Sequence, residues 1–153
     1  MEKVFIGIDP GFSGGIAVLD TDGKVKDVVK MPATPTDILE YLKSWTKDFD
    51  PVCMLEDVGR GIPGQSSSAT AKFARHNGHL EMALLALGIG TTTATPQKWQ
   101  KAYQMHSSKD MTKTQWKNAL KAKAQQLFPQ EGKKITLCTC DALLIARYAL
   151  MKQ

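Results

Sequence analysis

Long hydrophobic runs are missing from this chain. No stretch approaches the length of a bilayer-crossing helix, and the N-terminus lacks the basic and apolar regions of a secretory signal. Cysteine is scarce: three residues in 153 cannot make a disulfide framework, so a reducing, intracellular and cytoplasmic setting is expected. Cys138 and Cys140 have no second pair at zinc-site spacing, which argues against a structural zinc. Internal repeats, linkers and low-complexity stretches are absent too, so a single domain over 1–153 is expected. Acid is scarce in one segment only. Between Gln97 and Lys134 nine lysines meet just Asp110 and Glu131, a local charge of +7 against +5 for the whole chain, so the remainder is slightly acidic. Such a block suits a polyanion partner, or else a solvated helical face, and charge alone does not choose.

What is present starts with Val4-Phe5-Ile6-Gly7-Ile8-Asp9, closed by the turn Pro10-Gly11. Its β-branched and aromatic residues predict a strand buried on both faces that ends in one carboxylate. Gly7 shares a face with Asp9 and is expected to leave open space beside it. The acid either bonds its own turn or belongs to a metal or phosphate site. Gly14 to Leu19 and Val25 to Val29, joined through Asp22-Gly23, complete a three-stranded meander. Thr34 is placed to cap a helix carrying Ile38, Leu42, Trp45 and Phe49 on one face. Val52 to Leu55 is a second apolar strand, ending in Glu56-Asp57, and a glycine-rich loop follows.

A long helix is predicted from about Ser68 to Leu87, then a strand from Thr91 to Thr95 and a short helix from Gln97 to Tyr103. Lys113 to Phe128 reads as a helix with Trp116, Leu120, Ala124 and Leu127 inward and Lys113, Lys117 and Lys121 in a stripe beside them. Pro129 to Lys134 reads as a loop, and the apolar segment from Asp141 as a deeply packed final helix. The element order predicts an α/β fold, one mixed five-stranded sheet with helices on both faces, and puts Asp9, Glu56 and Asp141 at one edge of it. Three carboxylates from separate elements suit Mg²⁺ or Mn²⁺, hard cations that take oxygen ligands. Strand parity cannot choose between Glu56 and Asp57, because the residues before them are apolar on both faces. Asp141 alone would read as a helix N-cap, and His76 and His79 as polar-face or interface residues.

Gly7-Ile8-Asp9-Pro10-Gly11 with Gly14-Gly15-Ile16-Ala17, then Leu55-Glu56, then Asp141-Ala142-Leu143-Leu144-Ile145-Ala146, resemble the RuvC-type Holliday junction resolvases, in particular their short phage-borne variants. The likeness extends through Thr95-Pro96-Gln97 and Leu127-Phe128-Pro129. It implies an RNase H-like fold, a homodimer built largely on the helix from Ser68, and metal-dependent resolution of four-way DNA junctions by paired nicks. It assigns Asp9, Glu56 and Asp141 to two metal ions, Glu56 over Asp57, and Lys113 to the scissile phosphate. Lys98, Lys101, Lys117 and Arg60 are candidate DNA contacts beside it.

Two positions depart from the pattern. Cys138 stands where relatives carry a further Asp or His, and a thiol is a poor Mg²⁺ ligand, so Cys138 is not expected to be essential. Gly59 stands where some relatives place an aromatic that stacks on an opened base. Two rivals share the acids: a nuclease for RNA/DNA hybrid, and a junction-binding protein without catalysis. The Asp9-Pro10-Gly11 loop also resembles that of actin-like ATPases, which need a second domain that 153 residues do not supply.

Overall fold

The computed structural model describes residues 1–59 and 64–153. Its centre is β1 (Glu2–Asp9), hydrogen-bonded on one side to β2 (Gly15–Leu19) and on the other to β4 (Phe49–Glu56). Beyond β2 lies β3 (Val25–Lys30) and beyond β4 lies β5 (Gly90–Ala94), giving the order β3-β2-β1-β4-β5. The β1–β2 and β2–β3 pairs are antiparallel, while β1–β4 and β4–β5 are parallel. This is the expected mixed sheet, with its meander and its parallel strands where the turn signals put them.

Alternation along β1 sends Val4, Ile6 and Ile8 to one face, where Ile38 and Leu42 of α1 (Pro35–Lys47) and Leu80 and Leu84 of α2 (Ser67–Ala86) cover them. Phe5, with Met54 of β4, faces the opposite layer, made by α3 (Pro96–Ala102), α4 (Lys113–Leu127) and α5 (Cys140–Met151). The caps match the local sequence. Thr34 accepts from the Asp37 amide, Ser66 from Ala69 and Thr95 from Lys98, and Thr112 forms a reciprocal box with Gln115.

Several expectations need correction. Gly7 does not border open space. A Cβ built there would fall 2.3 Å from the Ala146 amide nitrogen and 2.4 Å from the Ala142 carbonyl oxygen, because the backbone of α5 lies directly on it. Phe49 begins β4 rather than ending the preceding helix, and 129–134 form a short 3₁₀ segment kinked at Gly132. His76 is 5% exposed, so it belongs to the interior and not to a polar face. No helix among the described residues is long and apolar enough to cross a membrane.

Candidate active site

Parallel pairing of Ile8 with Leu55 makes Asp9 and Glu56 the next residues of adjacent strands, on the face that α5 covers. Parity thus decides what the sequence left open: Met54 and Glu56 point toward α5, whereas Asp57 has left the strand and accepts the Gly59 amide at 2.9 Å. The close seat of α5 on Gly7 supplies the third acid, since Asp141 precedes Ala142 in the first turn of that helix. Asp9, Glu56 and Asp141 are each under 9% exposed.

Among the described residues one ammonium meets them. Lys117, from the second turn of α4, donates to Asp141 Oδ2 at 2.7 Å and lies 3.7 Å from Asp9 Oδ2. The resemblance pointed to Lys113. That residue is the first of α4, exposed and one turn away, and it is Lys117 that reaches the acids. The stripe at i, i+4, i+8 contains Lys117, and the packing of α4 on α5 is what brings it to the acids. Lys98 and Lys101 are exposed on α3, and Arg60 lies outside the described residues.

Trp99 was not singled out from the sequence. Its indole is fully buried and Nε1 donates to Glu56 Oε2 at 2.7 Å. The signal was present in Thr95-Pro96-Gln97-Lys98-Trp99: a capped helix start with a tryptophan one turn in, whose N–H needs a partner when buried. Cys138 is not on a helical face with Asp141. It sits in the turn before α5, its carbonyl against Gly15, and lines the groove beside Asp9 and Lys117. The cysteine that touches an acid is Cys140, with Sγ 3.4 Å from Asp141 Oδ1. Burial and the Asp141 charge push its thiol up to about 12, so it is a neutral donor there.

The electrostatics follow from three buried acids that share one cation among the described residues. Burial raises Asp9 well above the carboxylate range, and the Asp141 and Glu56 charges add to this. Burial raises Glu56 to about 7, with the Trp99 hydrogen bond pulling the other way. Burial would lower Lys117, but Asp141 and Asp9 outweigh it and raise the ammonium. Fully ionised, the cluster carries two negative charges that no cation among the described residues compensates, in a buried place and with an all-oxygen donor set. That chemistry fits a hard divalent cation. The arrangement is not a finished cage: among the described residues no three Asp, Glu, His or Cys side chains are grouped to hold a metal, and Lys117 stands between two of the acids.

Neither a protein-family model nor a curated protein matches the sequence. Solved structures do match its shape. Thermus thermophilus RuvC in complex with a Holliday junction substrate superposes with a TM-score of 0.65 at 17% identity, over 98% of this chain and 94% of that one. A second Thermus thermophilus RuvC structure gives 0.63 at 17% identity, over 95% and 92%. The fold is that of RuvC. It is an RNase H-like sheet, matched almost from end to end, and at 17% identity the likeness speaks for fold alone. What the residues add to the RuvC fold is the carboxylate cluster at the ends of β1 and β4, with α5 supplying its third member.

Proposed function

We propose that this protein is a metal-dependent endodeoxyribonuclease that resolves four-way DNA junctions by paired symmetric nicks. The observation that carries the reading is the convergence of Asp9, Glu56 and Asp141 on one buried spot of a RuvC fold. Asp9, Glu56 and Asp141 would hold one or two Mg²⁺ or Mn²⁺ ions, which would supply an activated water and stabilise the leaving oxygen. Trp99 fixes the orientation of Glu56, and Lys117, once released from Asp141, offers its ammonium to a phosphate oxygen. Lys98, Lys101 and Lys113, all exposed, would supply positive charge for the DNA arms.

Two nicks related by symmetry call for two active sites, so the working unit is a homodimer. Ala74, Gly78, Met82 and Leu85 form an exposed apolar stripe at helical spacing on α2, with Met82 63% and Leu85 74% exposed. A stripe of that kind covers itself on a second copy. Sedimentation that finds only monomer at micromolar concentration would remove the dimer from the proposal.

The test is cleavage of a four-way junction with Mg²⁺, against duplex and RNA/DNA-hybrid controls. Asp9→Asn is expected to lower cutting by roughly 100-fold or more while junction affinity holds, since lysines rather than acids carry the binding. An Asp9→Asn protein that cuts at the wild-type rate would sink the assignment. Preferential cutting of hybrid would make the protein an RNase H, and binding without cutting would make it a junction-binding module.

A further inference from the structure

The lysine stripe of α4 continues past the acids. Lys117 lines the groove that contains Asp9, and Lys121, one turn on, lines a second hollow of about 580 Å³ beside the end of α4. Buried Phe128 and Ile135 form the floor of that hollow, Lys121, Gln125 and Lys133 stand around it, and none of its described lining residues is an acid. The turn before α5 makes the same passage, since Cys138 and Leu137 line the groove and Thr136 lines the hollow. Two separate stretches of chain thus run from one space to the other, and together they wall a trough that leads away from Asp9. The turn is held in shape by its own hydrogen bonds. Thr136 Oγ1 accepts the Cys138 amide at 3.1 Å, while Thr139 Oγ1 accepts the Thr136 amide at 2.8 Å and donates to the Lys134 carbonyl at 2.7 Å. Among the described residues neither Lys121 nor Lys133 is in an ion pair.

Cations in a row, with no acid between them, are complementary to a polyanion of regular spacing. Lys117 and Lys121 are separated by about 6 Å along the helix axis, close to the step between neighbouring phosphates of one DNA strand. We propose that this trough holds the sugar–phosphate backbone of the strand cut at the acids, on one side of the scissile phosphate only. The scissile phosphate meets Lys117, the next one meets Lys121, and the one after it enters the hollow between Lys121 and Lys133. Phe128 and Ile135 lie under the sugars there. Contacts of this kind fix register and carry no base sequence. The inference rests on the nuclease reading and gives it a direction, because it states which way the strand leaves the acids.

The experiment measures affinity for a four-way junction in chelator, by fluorescence anisotropy. One strand carries a single neutral methylphosphonate, moved step by step through the crossover. Each contacted phosphate that is neutralised is expected to cost the wild-type protein roughly fivefold to tenfold at about 0.1 M salt. Lys121→Gln and Lys133→Gln should each abolish the loss at its own position, the two positions being neighbours, and each should lower the slope of log K on log salt by about one. Lys121→Arg should keep the positional loss. Lys43→Gln, an exposed lysine of α1 in the opposite helical layer, should abolish none of them. Circular dichroism and thermal unfolding establish that each variant is folded.

An unchanged salt slope in the Lys121→Gln, Lys133→Gln double variant overturns the inference. So does a uniform weakening that leaves every positional loss in place, since the two lysines would then act only through the general field. Cutting positions are mapped separately in Mg²⁺, and lysine-dependent positions on both sides of the cut also overturn the track. Lysine-dependent positions without any cutting would sink the nuclease and leave the trough standing as a DNA-binding surface. Cutting without such positions would do the reverse.

Discussion

Lys117 is the residue on which the metal-free site rests. Its side chain is 30% exposed, yet it pairs with Asp141 and approaches Asp9, whose burial would otherwise leave like charges facing each other. Lys117→Gln is therefore expected to destabilise the metal-free protein by roughly 1–3 kcal/mol, less than a fully buried pair because solvent screens this one. The same variant should gain more from added Mg²⁺ than wild type does, because no ammonium then competes for the acids. Thermal unfolding with chelator and with Mg²⁺ measures both effects, and an equal metal-induced gain in the two proteins would show that Lys117 is not the competitor.

Trp99 makes a complementary case. Its hydrogen bond is what lowers Glu56 against the upward push of burial, so Trp99→Phe, which keeps the ring and removes the N–H, should raise Glu56 further. The acid limb of the pH–cleavage profile would then move to higher pH. A profile that stays in place while activity falls would make Trp99 a packing residue only.

At the scale of elements, the site is built by the approach of α5 to β1. A strand–helix contact through backbone atoms is possible only where the strand has no side chain, and Gly7 is that position. Gly15 has the corresponding role on β2, where a Cβ would fall 2.6 Å from the Cys138 carbonyl oxygen, and it pairs with Asp9 across the ladder. Gly7→Ala would drive a methyl into the backbone of α5 at 2.3 Å, where no flexible side chain can yield. The expected cost is about 3 kcal/mol or more in urea unfolding, with Asp141 displaced from the other acids. Gly78 on α2 is a contrast, since nothing lies within 4 Å of a Cβ built there. A Gly7→Ala protein of unchanged stability would mean that α5 can lift away and that the glycine does not set the site.

For the molecule as a whole, the buried acids tie stability to pH in a direction opposite to the common case. Glu56 has a folded-state value of about 7 against 4.5 for an ordinary glutamate, so between those values the folded chain holds a proton that the unfolded chain has released. Stability therefore falls as pH rises from about 4.5 to 7, and the loss is complete above that range. Asp9, raised well above 3.8, acts in the same sense. Together they should make the metal-free protein less stable by a few kcal/mol (roughly) at pH 7.5 than at pH 5, as read from denaturant unfolding in chelator. A divalent cation should reverse most of the loss, because it favours the ionised acids. Glu56→Gln should flatten the pH dependence and stabilise the metal-free chain. Stability that rises with pH over this interval would show that the acids are ionised and satisfied without metal.

The sequence by itself determined the elements and their ends. Alternation, caps and turn residues are local quantities, so the meander, the Thr34 cap, the long second helix and the apolar last helix could be read within a residue or two. Asp9, Glu56 and Asp141 were legible as strand-end and helix-start acids, and the order of motifs pointed to the RuvC fold. Tertiary structure decided what depends on how the layers sit. It put Glu56 rather than Asp57 on the inner face through the β1–β4 register, and brought Lys117 rather than Lys113 to the acids through the α4–α5 contact. It filled the space beside Gly7 with helix backbone, buried His76, and joined Trp99 to Glu56 across 43 residues of chain. Each of these is a distance between segments far apart in sequence, set by packing that no local pattern encodes.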